Sequence, residues 1–146
     1  MVLKLEEAKE ILEVMVKFSS QTKPGRPFSL AVVDSAGILV GFNRMDGASP
    51  LTARVSINKA YTAIDWGRNT KEVREIFFMG EEKRDIAWFG EQRHAPIPGG
   101  VLLKAEDGTI VGALGSSGRT AEEDEEVVQV GAKAYQEILK KKGVQN

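Results

Sequence analysis

Asp107-Gly108, set between Val101–Ala105 and Thr109–Leu114, is the feature that most constrains the fold. An Asp-Gly pair accepts the backbone angles of a tight hairpin turn, so the two apolar runs beside it should return on each other antiparallel. A second hairpin is predicted upstream. Phe28–Val33 is apolar almost throughout, Asp34-Ser35-Ala36-Gly37 is turn chemistry, and Ile38–Met45 follows as a strand. The uniform apolarity of Phe28–Val33 predicts a central strand.

Three stretches carry helical periodicity. Leu5, Ala8, Leu12 and Met15, flanked by Ile11 and Phe18, define an amphipathic helix over Leu5–Ser20, ended by Lys23-Pro24-Gly25-Arg26-Pro27. A second helix spans about Thr52–Gly67. Its stripe of small residues, Ser56, Ala60, Ala63 and Gly67, permits close approach to a sheet or partner helix, with Lys59 beside it. The last helix has Thr120 and Glu123 placed as a capping box, acids after the cap, Lys140-Lys141-Lys142 at the far end and Gly143 as its C′ residue. Val127, Val130, Gly131, Ala134 and Ile138 form its buried face, with Tyr135 and Leu139 at the edge. Asn69–Gln92 reads as two short helical pieces and a mobile cover, in which Phe77, Phe78, Trp88 and Phe89 serve as cover or oligomer contact. The order is helix, hairpin, helix, cover, hairpin, helix. It implies one α+β domain over residues 1–146, with a mostly antiparallel sheet packed by helices.

Composition narrows the function. The 146 residues are 42% hydrophobic with a net charge of −1, and acids and bases are interspersed, so no basic stripe for nucleic acid exists. With no cysteine, disulfides, thiolate catalysis and zinc–thiolate sites are excluded. Glu6 and Glu7 stand where a signal peptide needs apolar residues, and no run approaches a membrane span. The expectation is a soluble, cytoplasmic protein without membrane partners.

Candidate chemistry centres on Arg93–Gly100, which holds the only histidine, His94, and ends in Pro98-Gly99-Gly100. His94 could act as a general acid or base or as a haem axial ligand, or it could be incidental. Adjacent glycines let backbone N–H groups approach a ligand. Arg44 ends the apolar stripe Ile38, Val40, Phe42, and Lys59 adjoins the small-residue stripe. Both are candidate anion binders, against ordinary ion pairs with Asp46 or Asp65. Glu122 and Asp124 are cap and dipole residues or catalytic ones, Asp124 the better candidate because Glu123 serves the cap. One histidine rules out a two-histidine iron site, so no metal site is expected. Gly115-Ser116-Ser117-Gly118-Arg119-Thr120 imitates a phosphate cradle, but it lacks the Gly-Lys-Ser/Thr of a P-loop and precedes a self-capped, acidic helix end. No Gly-x-Ser-x-Gly elbow supports serine hydrolysis.

Five ordered motifs resemble the GlcG/HbpS-like proteins: Leu30–Asp34 with Gly37 and Phe42–Ala48; Lys59–Ala63; Pro98–Val101; Val111–Gly118; and Glu122–Glu125. The match spans about Ser29–Ala134. The resemblance implies a profilin-like antiparallel sheet of about five strands flanked by helices, and self-association from dimers up to octamers. It also implies small-molecule ligands, haem in some members and ring-derived metabolites in others. Relatives that bind haem can use a histidine in the first helix. Leu5–Ser20 has none, which leaves His94 with Met45 and Met79 as second candidates.

The sequence therefore predicts a small-ligand-binding protein performing elimination or hydrolysis on a small anionic ring-derived metabolite, without a required cofactor. His94, Lys59 and Asp124 form the catalytic set, and Arg44, Gly99, Gly100 and Glu122 bind substrate. In this scheme His94 moves a proton while the Gly99 and Gly100 amides stabilise negative charge. The alternative is a non-catalytic haem- or tetrapyrrole-binding or sensing protein, with haem as cofactor. A third reading is a structural oligomer with a vestigial pocket. The leading reading requires the cations and the imidazole to converge on one hollow.

Overall fold

The computed structural model describes residues 2–80 and 84–145; positions 81–83 of the predicted cover lie outside the described residues. Strands β1 (Ser29–Asp34), β2 (Leu39–Arg44), β3 (Gly100–Lys104) and β4 (Ile110–Ser117) form one antiparallel sheet in the order β2-β1-β4-β3. The sheet has four strands, where the resemblance implied about five. Both predicted hairpins are present. In the first, Asp34 Oδ1 accepts the N–H groups of Ala36 (2.9 Å) and Ile38 (3.0 Å). In the second, Asp107 Oδ1 accepts the Thr109 N–H at 2.9 Å.

Each strand shows two different faces to the helices. Leu30 and Val32 on β1 and Leu114 on β4 join Ile11, Leu12 and Met15 of helix α1 (Leu5–Lys17) and Val127, Tyr135 and Ile138 of helix α4 (Ala121–Val144) in the larger core cluster. Val33 and Ala113 face the other way and join Ala60 and Ala63 of helix α2 (Pro50–Trp66). β1 is thus covered on both sides, which is why its sequence lacks polar alternation. The small-residue stripe has the effect its composition suggested. A Cβ on Gly115 would lie 1.9 Å from the Ser56 carbonyl oxygen, so only glycine admits α2 at this distance. Gly115 consequently belongs to the strand, and β4 continues to Ser117 past the expected end at Leu114.

Helix ends differ modestly from expectation. α1 gives way to a π-type turn at Phe18–Thr22, with the Ser19 hydroxyl donating to the Met15 carbonyl at 2.7 Å. α2 begins earlier, at Pro50, whose missing N–H costs nothing in a first turn. α4 runs through Gly143 to Val144, its last turn supported by Lys141 and Lys142. The cover forms helix α3 (Thr70–Arg74), a π-type turn at Glu75–Met79 and a 3₁₀ turn at Ile86–Phe89. The α2–α3 junction closes the outer edge of β3: Leu102 N–H donates to Asn69 Oδ1, and Gly100 N–H to Thr70 Oγ1, each at 2.9 Å. Among the described residues no helix is long and apolar enough to cross a membrane.

Gly115→Ala should lower folding stability by about 3 kcal/mol, the upper range for overpacking, because the obstacle is backbone. Urea unfolding checks this; a loss below about 1 kcal/mol would contradict the close approach of α2 to β4.

Candidate functional site

Two of the three predicted catalytic residues meet. Lys59 on α2 extends its ammonium to the first turn of α4, where Nζ donates to Asp124 Oδ2 at 2.8 Å and to the Ser116 carbonyl at 2.9 Å. Lys59 is 1% and Asp124 3% exposed. Asp124 Oδ1 accepts the Arg119 N–H at 3.0 Å, and the Ser116 hydroxyl donates to the Asp124 carbonyl at 2.6 Å. Both Asp124 oxygens and two of the three Lys59 N–H donors are therefore engaged. Burial pushes the Lys59 amine down and the Asp124 carboxyl up, each opposed by the partner's charge. The pair ties α2, β4 and α4 together. Neither Asp46 nor Asp65, the partners considered from sequence, contacts Lys59.

The glycines at this end serve packing. A Cβ on Gly100 would lie 2.5 Å from the Lys59 carbonyl oxygen, and one on Gly99 would lie 3.0 Å from Lys59 Nζ. Gly99 N–H donates to Glu125 Oε2 at 3.0 Å and Gly100 N–H to Thr70 Oγ1 at 2.9 Å. Both amides are occupied in this conformation.

His94 lies in the loop before β3 and packs against the C-terminal end of α2. Its side chain is 4% exposed and its Nε2 sits 2.5 Å from Asp65 Oδ2. A carboxylate in that position selects the tautomer with the proton on Nε2. Nδ1 is buried and has no hydrogen-bond partner among the described residues. Neighbouring bonds fix the loop: Ala95 N–H donates to Thr62 Oγ1 at 2.8 Å, and the imidazole packs against Tyr61 (centroids 6.5 Å apart) and Trp66 (5.8 Å). Tyr61 donates its hydroxyl to Glu91 Oε2 at 3.0 Å, and burial raises its pKa. The Arg93 guanidinium lies 3.8 Å over the Tyr61 ring and donates twice to Glu91, holding that carboxyl down to about 2.

Arg44 and Glu122 join neither group. Arg44 is exposed at the end of edge strand β2, lining a shallow cleft with Val16, Asn43, Met45 and Asp46, and makes no hydrogen bond or ion pair among the described residues. Glu122 is exposed in the first turn of α4. The single hollow predicted from sequence is thus resolved into a buried Lys59–Asp124 pair, a separate His94–Asp65 pair whose aspartate stands near the C-terminal end of α2, and two exposed outliers.

Two contributors escaped the sequence reading. Asp65 was considered only as an ion-pair partner for a lysine or arginine. Its spacing of three from Thr62, which also holds the His94 loop, was the available signal. Arg119 was read only as part of the segment that imitates a phosphate cradle. It donates to the carbonyls of Arg26 (2.7 Å), Lys23 (2.6 Å) and Ser19 (3.0 Å) and lies 4.4 Å over the Phe28 ring, clamping the segment after α1. Nothing local in the sequence marks those long-range carbonyls.

A family model described as haem degrading protein HbpS-like matches residues 3–133. The chain belongs to the HbpS-like family. An uncharacterised 15.0 kDa protein from the dhaT–dhaS intergenic region of Citrobacter freundii is 31% identical over 112 residues, covering 77% of this chain and 78% of that one. Protein GlcG of Escherichia coli K12 is 36% identical over 89 residues, 61% of this chain and 63% of GlcG. Among solved structures, a PduOC–haem complex superposes with a TM-score of 0.82 at 23% identity, covering 92% of this chain and 95% of that one.

In this HbpS-like chain, Asp124→Asn keeps an acceptor for the Arg119 N–H but strands the Lys59 charge. It should cost about 3–5 kcal/mol at neutral pH. Its Lys59 would titrate further below 10.5 than in the parent, so the unfolded chain binds the extra proton between the two values. The variant's stability should therefore rise as pH is raised toward 10.5. Chemical denaturation across pH checks both; a flat profile would contradict the buried pair.

Proposed function

We propose that this HbpS-like protein binds a small anionic ring-derived metabolite and performs proton-transfer chemistry, elimination or hydrolysis, at His94. The observation carrying this reading is the state of the imidazole. Its Nε2 is oriented by Asp65, while Nδ1 is a buried lone pair without a donor. A carboxylate that fixes one nitrogen and leaves the other to act is how a general base is held. A substrate hydroxyl or acidic C–H, or a water, would supply the missing donor to Nδ1. Asp65 positions the ring and stabilises the imidazolium that forms. Arg93 is the cation beside His94, and a substrate carboxylate would compete with Glu91 for its two N–H donors. Lys59 and Asp124 support this chemistry by fixing α2 against α4, instead of touching substrate.

The PduOC complex and the family description favour a second reading, haem binding. The residues present fit an iron-ligating set poorly. His94 Nε2 is engaged by Asp65, Met45 Sδ accepts the Phe28 N–H at 3.5 Å beyond β2, and Met79 stands 70% exposed on the cover. These three side chains occupy three separate places, and α1 carries no histidine.

Native mass spectrometry of freshly purified protein, followed by turnover of the retained ligand or of a panel of small ring-derived carboxylates, tests the first reading. His94→Ala should reduce turnover by about 10²–10⁴-fold, and Asp65→Asn should also reduce it. Unchanged turnover and affinity in His94→Ala would overturn the reading. Haemin titration should give no His94-dependent Soret shift; a shift lost in His94→Ala would support the second reading.

A further inference from the structure

Ser117-Gly118-Arg119, the end of the segment that imitates a phosphate cradle in the sequence, turns toward the start of α2 instead of α4. There it closes a cleft of about 400 Å³ with Arg26 before β1 and with Ser49 and Leu51 at the head of α2. Among the described residues that line it are two arginines and no acid, in a chain of net charge −1. The clefts lined by Arg44, Arg84 and Lys104 each include an acid: Asp46, Asp85 and Glu137. The Arg119 side chain is 6% exposed, and its hydrogen bonds go to neutral carbonyls, while Glu123, the acid paired with it, stands 3.9 Å away. A guanidinium cannot shed its proton, so the cleft wall holds a buried charge short of a close counter-ion. The Arg26 guanidinium and the Ser49 and Ser117 hydroxyls have no partner among the described residues. A Cβ on Gly118 would lie 2.4 Å from the Pro27 carbonyl oxygen, so the wall is fixed at the level of the backbone.

We infer that this cleft binds the phosphate group of a small phosphomonoester. Such a group carries about −1.5 to −2 charge at neutral pH and three acceptor oxygens. Arg26 supplies a bidentate fork, and the two serine hydroxyls, one from each wall, supply single donors to the remaining oxygens. Arg119 contributes charge from behind, its own donors being occupied. The first-turn N–H of Leu51 adds to these groups. A carboxylate is flat, has two oxygens and carries a single charge, so it would leave part of this donor set unanswered. The volume suits a phosphate with a short organic tail. The cleft lies roughly 20 Å along α2 from Asp65, so the inference does not depend on the chemistry assigned to His94.

Isothermal titration calorimetry of the full chain with inorganic phosphate, methyl phosphate and acetate tests it. Both phosphates should bind one per chain, and acetate about 10-fold more weakly or less. Arg26→Gln and Ser117→Ala should each weaken phosphate binding by about 10-fold, as for the loss of one hydrogen bond to a charged group. Their unfolding midpoints should match the parent's, because neither side chain bonds within the fold. Lys133→Gln, an exposed cation on α4, should bind phosphate like the parent. No phosphate binding at millimolar concentration would overturn the inference, and so would acetate binding as tightly as phosphate. Methyl phosphate binding far more weakly than inorganic phosphate would show a site closed to esters and overturn it too. Parental affinity in both Arg26→Gln and Ser117→Ala would place the ion elsewhere, and an equal loss in Lys133→Gln would reduce it to diffuse surface charge.

Discussion

A charged amine cannot stand unpaired in a protein interior, and Lys59 is placed so that Asp124 meets it. Its pairing with Asp124 decides how α2 sits on the sheet and where α4 begins. The pair is surrounded by features that make sense only in its presence. Gly99 and Gly100 clear space beside the lysine, the Ser116 carbonyl takes another of its N–H donors, and Arg119 brings its own amide to the far oxygen of Asp124. Through its side chain the same arginine holds the segment following α1. One buried ion pair thereby reaches both faces of the sheet. Each ion would be costly to bury alone, and the arrangement is tolerable because each neutralises the other and both carboxylate oxygens and two of the ammonium's donors are hydrogen-bonded.

With α2 fixed in this way, its C-terminal half becomes a platform. Tyr61, Thr62, Asp65 and Trp66 all engage the loop that carries His94. The imidazole inherits its orientation from a helix held in place elsewhere, which keeps the Lys59–Asp124 pair apart from the His94–Asp65 pair. That division explains why the cations predicted to gather around the histidine do not do so. Lys59 is consumed by the architecture, and Arg44 lies on the opposite edge strand.

Much of the fold was legible because its signals are local. Asp34 and Asp107 shape their own turns, the small residues of α2 announce a close approach, and Thr120 accepts the Glu123 N–H at 3.2 Å to start α4. The ordered motifs led to the right family. What could not be read were pairings across the chain. Lys59 and Asp124 are 65 residues apart, and His94 and Asp65 are 29 apart. Composition shows that such charges exist, but only the packing of α2 decides which partner each receives. Gly115 misled for a related reason: a glycine beside serines looks like a strand exit until the helix above it is known.

The presence of a single histidine makes the central claim directly measurable. A long-range ¹H–¹⁵N correlation spectrum of the imidazole reports which ring nitrogen carries the proton, with no assignment ambiguity. The account predicts a proton on Nε2 and a bare Nδ1, and a tautomer balance that changes in Asp65→Asn. A ring protonated at Nδ1, or one whose two nitrogens average as in free histidine and ignore Asp65→Asn, would contradict it.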